Sequence, residues 1–213
     1  MSKELSFDAE EKLFSSGYEH IFGCDEVGRG CLAGPVVAAT VYWNAELKSK
    51  NCESWTREIK DSKLLSPKKR ALLAGFIKQN FVWAIGEASV KEIDEINIHN
   101  ASLLAMQRSA DELHTKLKLQ DKTKTHLLID GRFKLPDYTY PQTAIVDGDA
   151  KIFSIASSSI VAKVYRDELM TDLDKKFPGY EFAKHKGYGT KIHKNAIIKL
   201  GPSIMHRKSF KLM

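Results

Sequence analysis

Apolar residues in this chain fall into short runs separated by glycine, proline and polar clusters. His20 to Asp25 and Val36 to Tyr42 are two such runs, and they predict strands. Gly28-Arg29-Gly30 and Gly34-Pro35 stand between them as turn signals. Trp43 to Asp61 is polar and irregular, a predicted loop. Ser66-Pro67 reads as an N-cap followed by proline at the first helical position, opening a helix through about Gln79. Phe81 to Ser89 is strand-like. Ser89 to Ile96 predicts a short capped helix and Asn100 to Leu117 a longer one. On the longer helix Leu103, Met106, Ala110, Leu113 and Leu117 share one face, which marks them as core. Thr125 to Asp130 and Thr143 to Val146 predict two further strands. Ile152 to Lys176 predicts a helix stopped by Pro178-Gly179, and Lys191 to Leu200 a last helix ending at Gly201-Pro202.

Strands followed by helices alternating with strands predict an α/β protein, a mixed sheet packed between helices. No boundary divides the 213 residues into two large domains. The expected organisation is one domain over 1–178, with a small helical region over 179–213 packed on it. That region carries the charge asymmetry. From Phe182 onward there is no Asp or Glu and there are eight Lys or Arg, whereas the chain as a whole carries +6. A basic end on a near-neutral body suits a polyanion, and equally a solvated tail. The longest apolar stretch, Leu32 to Tyr42, is interrupted by Gly34, Pro35 and Thr40 and is short of the ~18 residues of a membrane span. The start, Met1-Ser2-Lys3-Glu4-Leu5, has no apolar segment of the signal-peptide kind. Cys24, Cys31 and Cys52 form no CxxC pair, so neither a disulfide framework nor a thiolate zinc site is expected, and a reducing cytoplasm is the expected location.

Three predicted strands stop at acids: Asp25-Glu26, Asp130, and Asp147 with Asp149. One acid beside a glycine is ordinary turn chemistry. Three such ends in one sheet can bring carboxylates within a few ångströms, because neighbouring strands lie ~5 Å apart. Clustered carboxylates repel unless a cation joins them, and Mg²⁺ or Mn²⁺ prefers such oxygens. Beside a basic surface, this is the chemistry of two-metal phosphoryl transfer. Asp25 and Glu26 are adjacent, so on a regular strand they point to opposite faces. Glu26 joins Asp25 only if the chain turns there, or else through its backbone carbonyl.

Gly23-Cys24-Asp25-Glu26-Val27-Gly28-Arg29-Gly30, continuing Leu32-Ala33-Gly34-Pro35, resembles the opening signature of bacterial ribonuclease HII. Six further segments follow in the family's order. They are Asp61-Ser62-Lys63-Leu64-Leu65-Ser66, Ile93-Asp94-Glu95-Ile96-Asn97-Ile98, Leu128-Ile129-Asp130-Gly131, Gly148-Asp149, Ser157 to Asp167, and His185-Lys186-Gly187-Tyr188-Gly189-Thr190. His206-Arg207-Lys208-Ser209-Phe210 completes the set, which spans nearly the whole chain. The resemblance implies a ribonuclease H-like mixed sheet flanked by helices, with a small C-terminal helical region. It implies a divalent-metal-dependent endonuclease that uses Mg²⁺ or Mn²⁺, two ions with substrate bound. The implied partners are RNA–DNA hybrids and duplex DNA with embedded ribonucleotides, cut on the 5′ side of the ribonucleotide. The family's four catalytic, metal-holding acids fall on Asp25, Glu26, Asp130 and Asp149. Gly28, Arg29 and Gly30 fall on its sensor of the ribose 2′-hydroxyl, and Tyr188 on the residue that packs against the neighbouring sugar.

Glycines let a backbone approach a sugar edge closely, and the 2′-hydroxyl is what separates RNA from DNA. Lys63, Lys186 and Lys208 are candidate phosphate contacts, and Ser62 a candidate hydroxyl contact. One position departs from the family. Asp147 stands where lysine is usual, either near the metal site or turned to solvent. His185 and His193 lack the spacing of a helical zinc pair, and His185 is expected to be structural or near phosphate. A ribonuclease HIII is disfavoured by Arg29-Gly30 and by the lack of a long N-terminal domain. A non-catalytic binding module is disfavoured by acids at all four positions. A monomer with no membrane partner is the default expectation.

Overall fold

The computed structural model describes residues 5–43, 55–119 and 121–212. Cys52 and most of the predicted loop after Trp43 lie outside the described residues, as does the start of the chain. Five strands form one sheet: β1 (His20–Val27), β2 (Val36–Trp43), β3 (Trp83–Ala88), β4 (Thr125–Asp130) and β5 (Gln142–Ile145). Their spatial order is β3-β2-β1-β4-β5. β2 lies antiparallel to both β1 and β3, whereas β1–β4 and β4–β5 are parallel. The sheet is therefore mixed, as the alternation of elements predicts.

Every residue of β2 is buried, because helices cover both faces of the sheet. Ile21, Ala39, Val41 and Trp43 face one way, against Ile155, Ala156 and Ile160 of α4 (Phe153–Lys176) and Leu73 and Ile77 of α2 (Pro67–Asn80). Phe22, Cys24, Ala38 and Tyr42 face the other way, against Ala101, Ala105 and Leu113 of α3 (Val90–Leu117). The alternation follows the two-residue period of a strand. Ser66 caps α2 and Ser89 caps α3 in a capping box with Glu92, at the predicted starts. The two helices predicted over 89–117 run end to end across a kink at Asn97, whose φ is 64°. Its Oδ1 accepts from the Asn100 N–H and so restarts the second half.

Helix α4 lies directly on β1. A Cβ at Gly23 would stand 2.2 Å from the backbone of Ser154, and Ser158 Oγ donates to the Gly23 carbonyl at 2.5 Å. The serines of this helix are thus the small residues that permit close approach. α1 (Asp8–Ser15), which the apolar pattern does not predict, supplies the buried Glu10. Its Oε1 accepts from the Ser154 N–H at 2.9 Å and so caps α4, whose own N-cap residue Ile152 has no side-chain cap.

The C-terminal residues fold back on the β1–β2 connection through α5 (Phe182–His185) and α6 (Lys191–Leu200). Leu32 N–H donates to Gly187, Gly34 N–H to Met205, and Arg207 N–H to Leu32. Here His185, His193 and His206 are buried together. The first two rings stack at 4.2 Å, and the Nε2 atoms of His193 and His206 are 3.1 Å apart. Burial lowers all three pKa values, His193 to about 4, so they pack as neutral rings. No helix among the described residues is long and apolar enough to cross a membrane. Gly23→Ala forces α4 off β1 and is expected to cost about 3 kcal/mol, lowering the thermal midpoint by about 6–12 °C. Calorimetry checks it.

Candidate active site

The parallel pairing of β1 with β4 ends at Cys24 and Ile129. Beyond it β1 keeps only β2 as a neighbour, with Asp25 opposite Ala39 and Glu26 opposite Ala38. At this open end the alternation of side chains does not separate the two acids. One carboxylate oxygen from each of Asp25, Glu26 and Asp130 lies within 4.8 Å of the others. Glu26 thus enters the cluster by its side chain.

Asp25 is buried and its Oδ1 accepts from the Glu26 N–H at 2.7 Å. Ser159 beside it works the other way from burial, favouring the charged form of the carboxyl. Ser62 Oγ stands 2.9 Å from Ser159 Oγ, and the Ser62 carbonyl accepts from Arg70 Nε at 2.9 Å. Ser62 is itself buried, so its hydroxyl faces Ser159 and not solvent. Asp130, at the end of β4, accepts on Oδ1 from the N–H groups of Gly148 at 2.7 Å and Asp149 at 3.4 Å. Asp149 is buried, and its Oδ2 accepts from Lys63 Nζ at 3.1 Å. It stands at the edge of the three-acid cluster, close enough for its charge to act on Asp130 and Asp25.

Burial holds the Asp25 carboxyl well above the ordinary range, and the charges of Glu26 and Asp130 push it further. Burial also raises Glu26, against the opposing pull of Arg29, whose Nη1 is 3.0 Å from Glu26 Oε1. Asp130 is raised by burial and by the charge of Asp149. Glu26 Oε2 is buried with no hydrogen-bond partner among the described residues. Crowded hard oxygens, raised carboxyls and an orphaned buried oxygen are the donor set of a divalent cation, so these residues fit Mg²⁺ or Mn²⁺.

Of the other expected site residues, Arg29 and Lys63 touch the acids directly, through Glu26 and Asp149. Arg29 and Gly30 are exposed, and Gly28 adopts a φ of 95° in a place where a Cβ would strike Arg166. Lys63 is largely exposed. Tyr188 is 40% exposed and bridges to Cys31 on the same connection, with Lys163 Nζ 5.7 Å from its ring centroid. Lys186 is half-buried with Nζ on Thr171 Oγ1 at 2.6 Å, in a cleft of about 520 Å³ that Arg70 and Asp167 also line. Lys208 is exposed, and its N–H donates to Asp94 Oδ2. Asp147 has its side chain 74% exposed beside Lys151 and turns away from the cluster. Ser159, Arg70, Arg166 and Arg207 serve the site without having been singled out from the sequence. The signal for Arg166 was available: an arginine deep in a run of small and apolar helical residues. Arg207 lies in the His206–Phe210 segment that carries the resemblance, but its burial comes from the fold of the C-terminal segment.

The mixed five-strand sheet flanked by helices is a ribonuclease H-like fold. The archaeal ribonuclease HII of Archaeoglobus fulgidus, solved in its complex with PCNA, shares this fold with a TM-score of 0.67 at 24% identity, over 91% of this chain and 96% of that one. Bst ribonuclease HIII, solved with Mn²⁺, gives 0.70 at 18% identity, over 94% of this chain and 70% of that one. The chain belongs to the ribonuclease HII family: the model described as Ribonuclease HII matches residues 22–213. The ribonuclease HII of Alkaliphilus metalliredigens is 45% identical over 95% of each chain. The protein is therefore a ribonuclease H endonuclease, of a divalent-metal-dependent family that cleaves RNA in RNA–DNA hybrids.

A carboxyl whose folded pKa is raised binds more protons folded than unfolded. Its contribution to stability is present at acid pH and is lost as the pH rises through the folded value. The metal-free protein is thus penalised by Asp25 at neutral and alkaline pH. Asp25→Asn is expected to raise the midpoint in EDTA more at pH 8 than at pH 4, because the penalty it removes grows as the pH rises through the raised value. Thermal melts at the two pH values measure this difference.

Proposed function

We propose that the protein hydrolyses the RNA strand of RNA–DNA hybrids and also cuts on the 5′ side of single ribonucleotides embedded in duplex DNA. Asp25, Glu26, Asp130 and Asp149 hold the metal, two ions when substrate is bound. The observation that carries the reading is the Arg29–Glu26 contact at 3.0 Å. It ties the Gly28–Gly30 backbone, the part suited to meet a 2′-hydroxyl, to the carboxylates where phosphate chemistry takes place. Bound there, Mg²⁺ or Mn²⁺ supplies charge stabilisation to the scissile phosphate and acidifies the attacking water.

The chain's own residues do the rest. Ser159, which Ser62 meets at 2.9 Å, favours the charged form of Asp25, so Ser62 acts on the site through Ser159 and not as a direct phosphate contact. Gly148 N–H fixes Asp130. Lys63 and Lys186 meet phosphates, and Tyr188 offers an aromatic face to the sugar beside the ribonucleotide. A polar site built for a 2′-hydroxyl rejects deoxyribose, because its own groups are then left unpaired. The region 179–213 acts as part of the same domain, since it frames Leu32 and Gly34 on both sides. Removal of ribonucleotides from DNA in the cytoplasm is the role this chemistry suits.

An end-labelled DNA duplex with one ribonucleotide tests the reading. Metal-dependent cleavage 5′ of that ribonucleotide, lost in Asp25→Asn, is the expected result. Cleavage of long hybrids alone removes the sensor from the account, and tight binding without turnover removes the enzyme. In the same assay Asp149→Asn is expected to lose at least a thousandfold in rate, while Asp147→Asn stays within twofold of wild type. The opposite pattern would place the metal on Asp147. Lys63→Ala is expected to weaken binding and to reduce the salt dependence of KM by about one counterion, for one lost phosphate contact.

A further inference from the structure

The connection between β1 and β2 hangs from two buried guanidinium groups. Arg166, on α4, donates from Nε to the Pro35 carbonyl at 3.0 Å, from Nη1 to Lys186 at 2.9 Å and from Nη2 to Ala33 at 3.1 Å. Arg207, in the C-terminal segment, donates from Nη2 to Gly28 at 2.7 Å and Gly34 at 2.9 Å, from Nη1 to Arg29 at 2.8 Å, and from Nε to Gly34 at 3.1 Å. Both residues are fully buried. Among the described residues neither forms an ion pair with a carboxylate.

The first consequence is geometric. In a trans peptide the C=O and the following N–H point in opposite directions. There is no cis peptide bond here. Arg207 draws the carbonyls of Gly28 and Arg29 inward, so the N–H groups of Arg29 and Gly30 turn outward. Among the described residues these two N–H groups have no backbone acceptor outside the sheet ladder and no side-chain acceptor. Gly30 faces open space. Gly28 must be glycine because a Cβ there would stand 2.2 Å from Arg166 Nε. Arg207 thus imposes the outward edge from behind, while Arg166 packs against Gly28 and holds the later part of the connection at Ala33 and Pro35.

The second consequence is electrostatic. Two cations buried among neutral carbonyls carry an unpaid desolvation cost. Burial and the neighbouring Arg166 lower the Arg207 pKa to about 10. The field behind the loop is positive, and a polyanion docked in front of it offsets that cost.

We propose that Arg166 and Arg207 are positioning residues for ribose discrimination: Arg207 sets which way the Gly28–Gly30 backbone faces, Arg166 holds the connection behind it at Ala33 and Pro35, and together they govern how well a ribose is told from a deoxyribose at the cut. The proposal rests on the reading of Gly28-Arg29-Gly30 as the 2′-hydroxyl sensor. Lysine at either place keeps the charge, but one ammonium cannot reproduce a fork that reaches three carbonyls at once.

The test uses Arg207→Lys and Arg166→Lys in the full chain. Two quantities are compared: kcat/KM on a duplex with one ribonucleotide, and Ki of the all-DNA duplex as competitor. The expected result is a fall of at least tenfold in kcat/KM with Ki within twofold of wild type. A purely structural role moves both in parallel, and that outcome overturns the proposal. So does wild-type kcat/KM in both variants, or melting of both below the assay temperature. Gly30→Ala tests the underlying reading separately, because its site has room for a Cβ and no positive φ. Loss of ribonucleotide cleavage there, with Ki unchanged, keeps the sensor whatever the arginines do. Unchanged cleavage removes the sensor, and the proposal with it.

Discussion

Like charges held at the open end of a sheet are the constraint around which this molecule is arranged. Two fully ionised carboxylates 4.8 Å apart repel by on the order of 3 kcal/mol at an effective dielectric of about 20. Asp25, Glu26 and Asp130 make three such pairs, and Asp149 adds to them from the edge. The protein accepts this cost in its metal-free form and relieves it only in part, by Arg29 on Glu26, Lys63 on Asp149 and backbone N–H groups on Asp130. Stability and chemistry therefore pull in opposite directions at one place. The same crowding that raises the carboxyl pKa values makes the cluster a strong site for a divalent cation.

Keeping those carboxylates together requires a rigid bed. Close contact of α4 with β1 at Gly23 supplies it on one side, since no side chain intervenes between helix backbone and strand. Glu10 fixes the start of that helix, and Ser159 in its second turn favours the charged form of Asp25. On the other side the C-terminal residues brace the β1–β2 connection through Arg207. The basic end of the chain thus has two parts. Lys191, Lys194, Lys199, Lys208 and Lys211 are exposed and contribute to the field outside, whereas Arg207 is buried and holds the backbone.

Much of this was legible in the residues. The alternation of apolar runs with turn signals marked all five strands, and Ser66 and Ser89 marked two helix starts, because caps and periodicity are local properties. Three strands ending in acids marked the cluster. The helix Asp8–Ser15 was missed because it is short and polar and is held by what Glu10 does in the interior. Ser62 looked like a surface hydroxyl beside an exposed lysine, and only the approach of α4 buries it against Ser159. The direction of Asp147 likewise depends on a left-handed backbone turn at that residue, with φ of 55°, which leaves its side chain beside Lys151.

The sequence by itself determined the element types, the core faces and which acids were available, since each of these follows from spacing along the chain. Whether Asp25 and Glu26 share one site was decided by the tertiary structure, because the answer depends on where β4 stops pairing with β1. The same holds for the outward edge of Gly28–Gly30. The carbonyls of Gly28 and Arg29 are turned inward by Arg207, 178 or more residues away, and no local pattern records a hydrogen bond made across that separation.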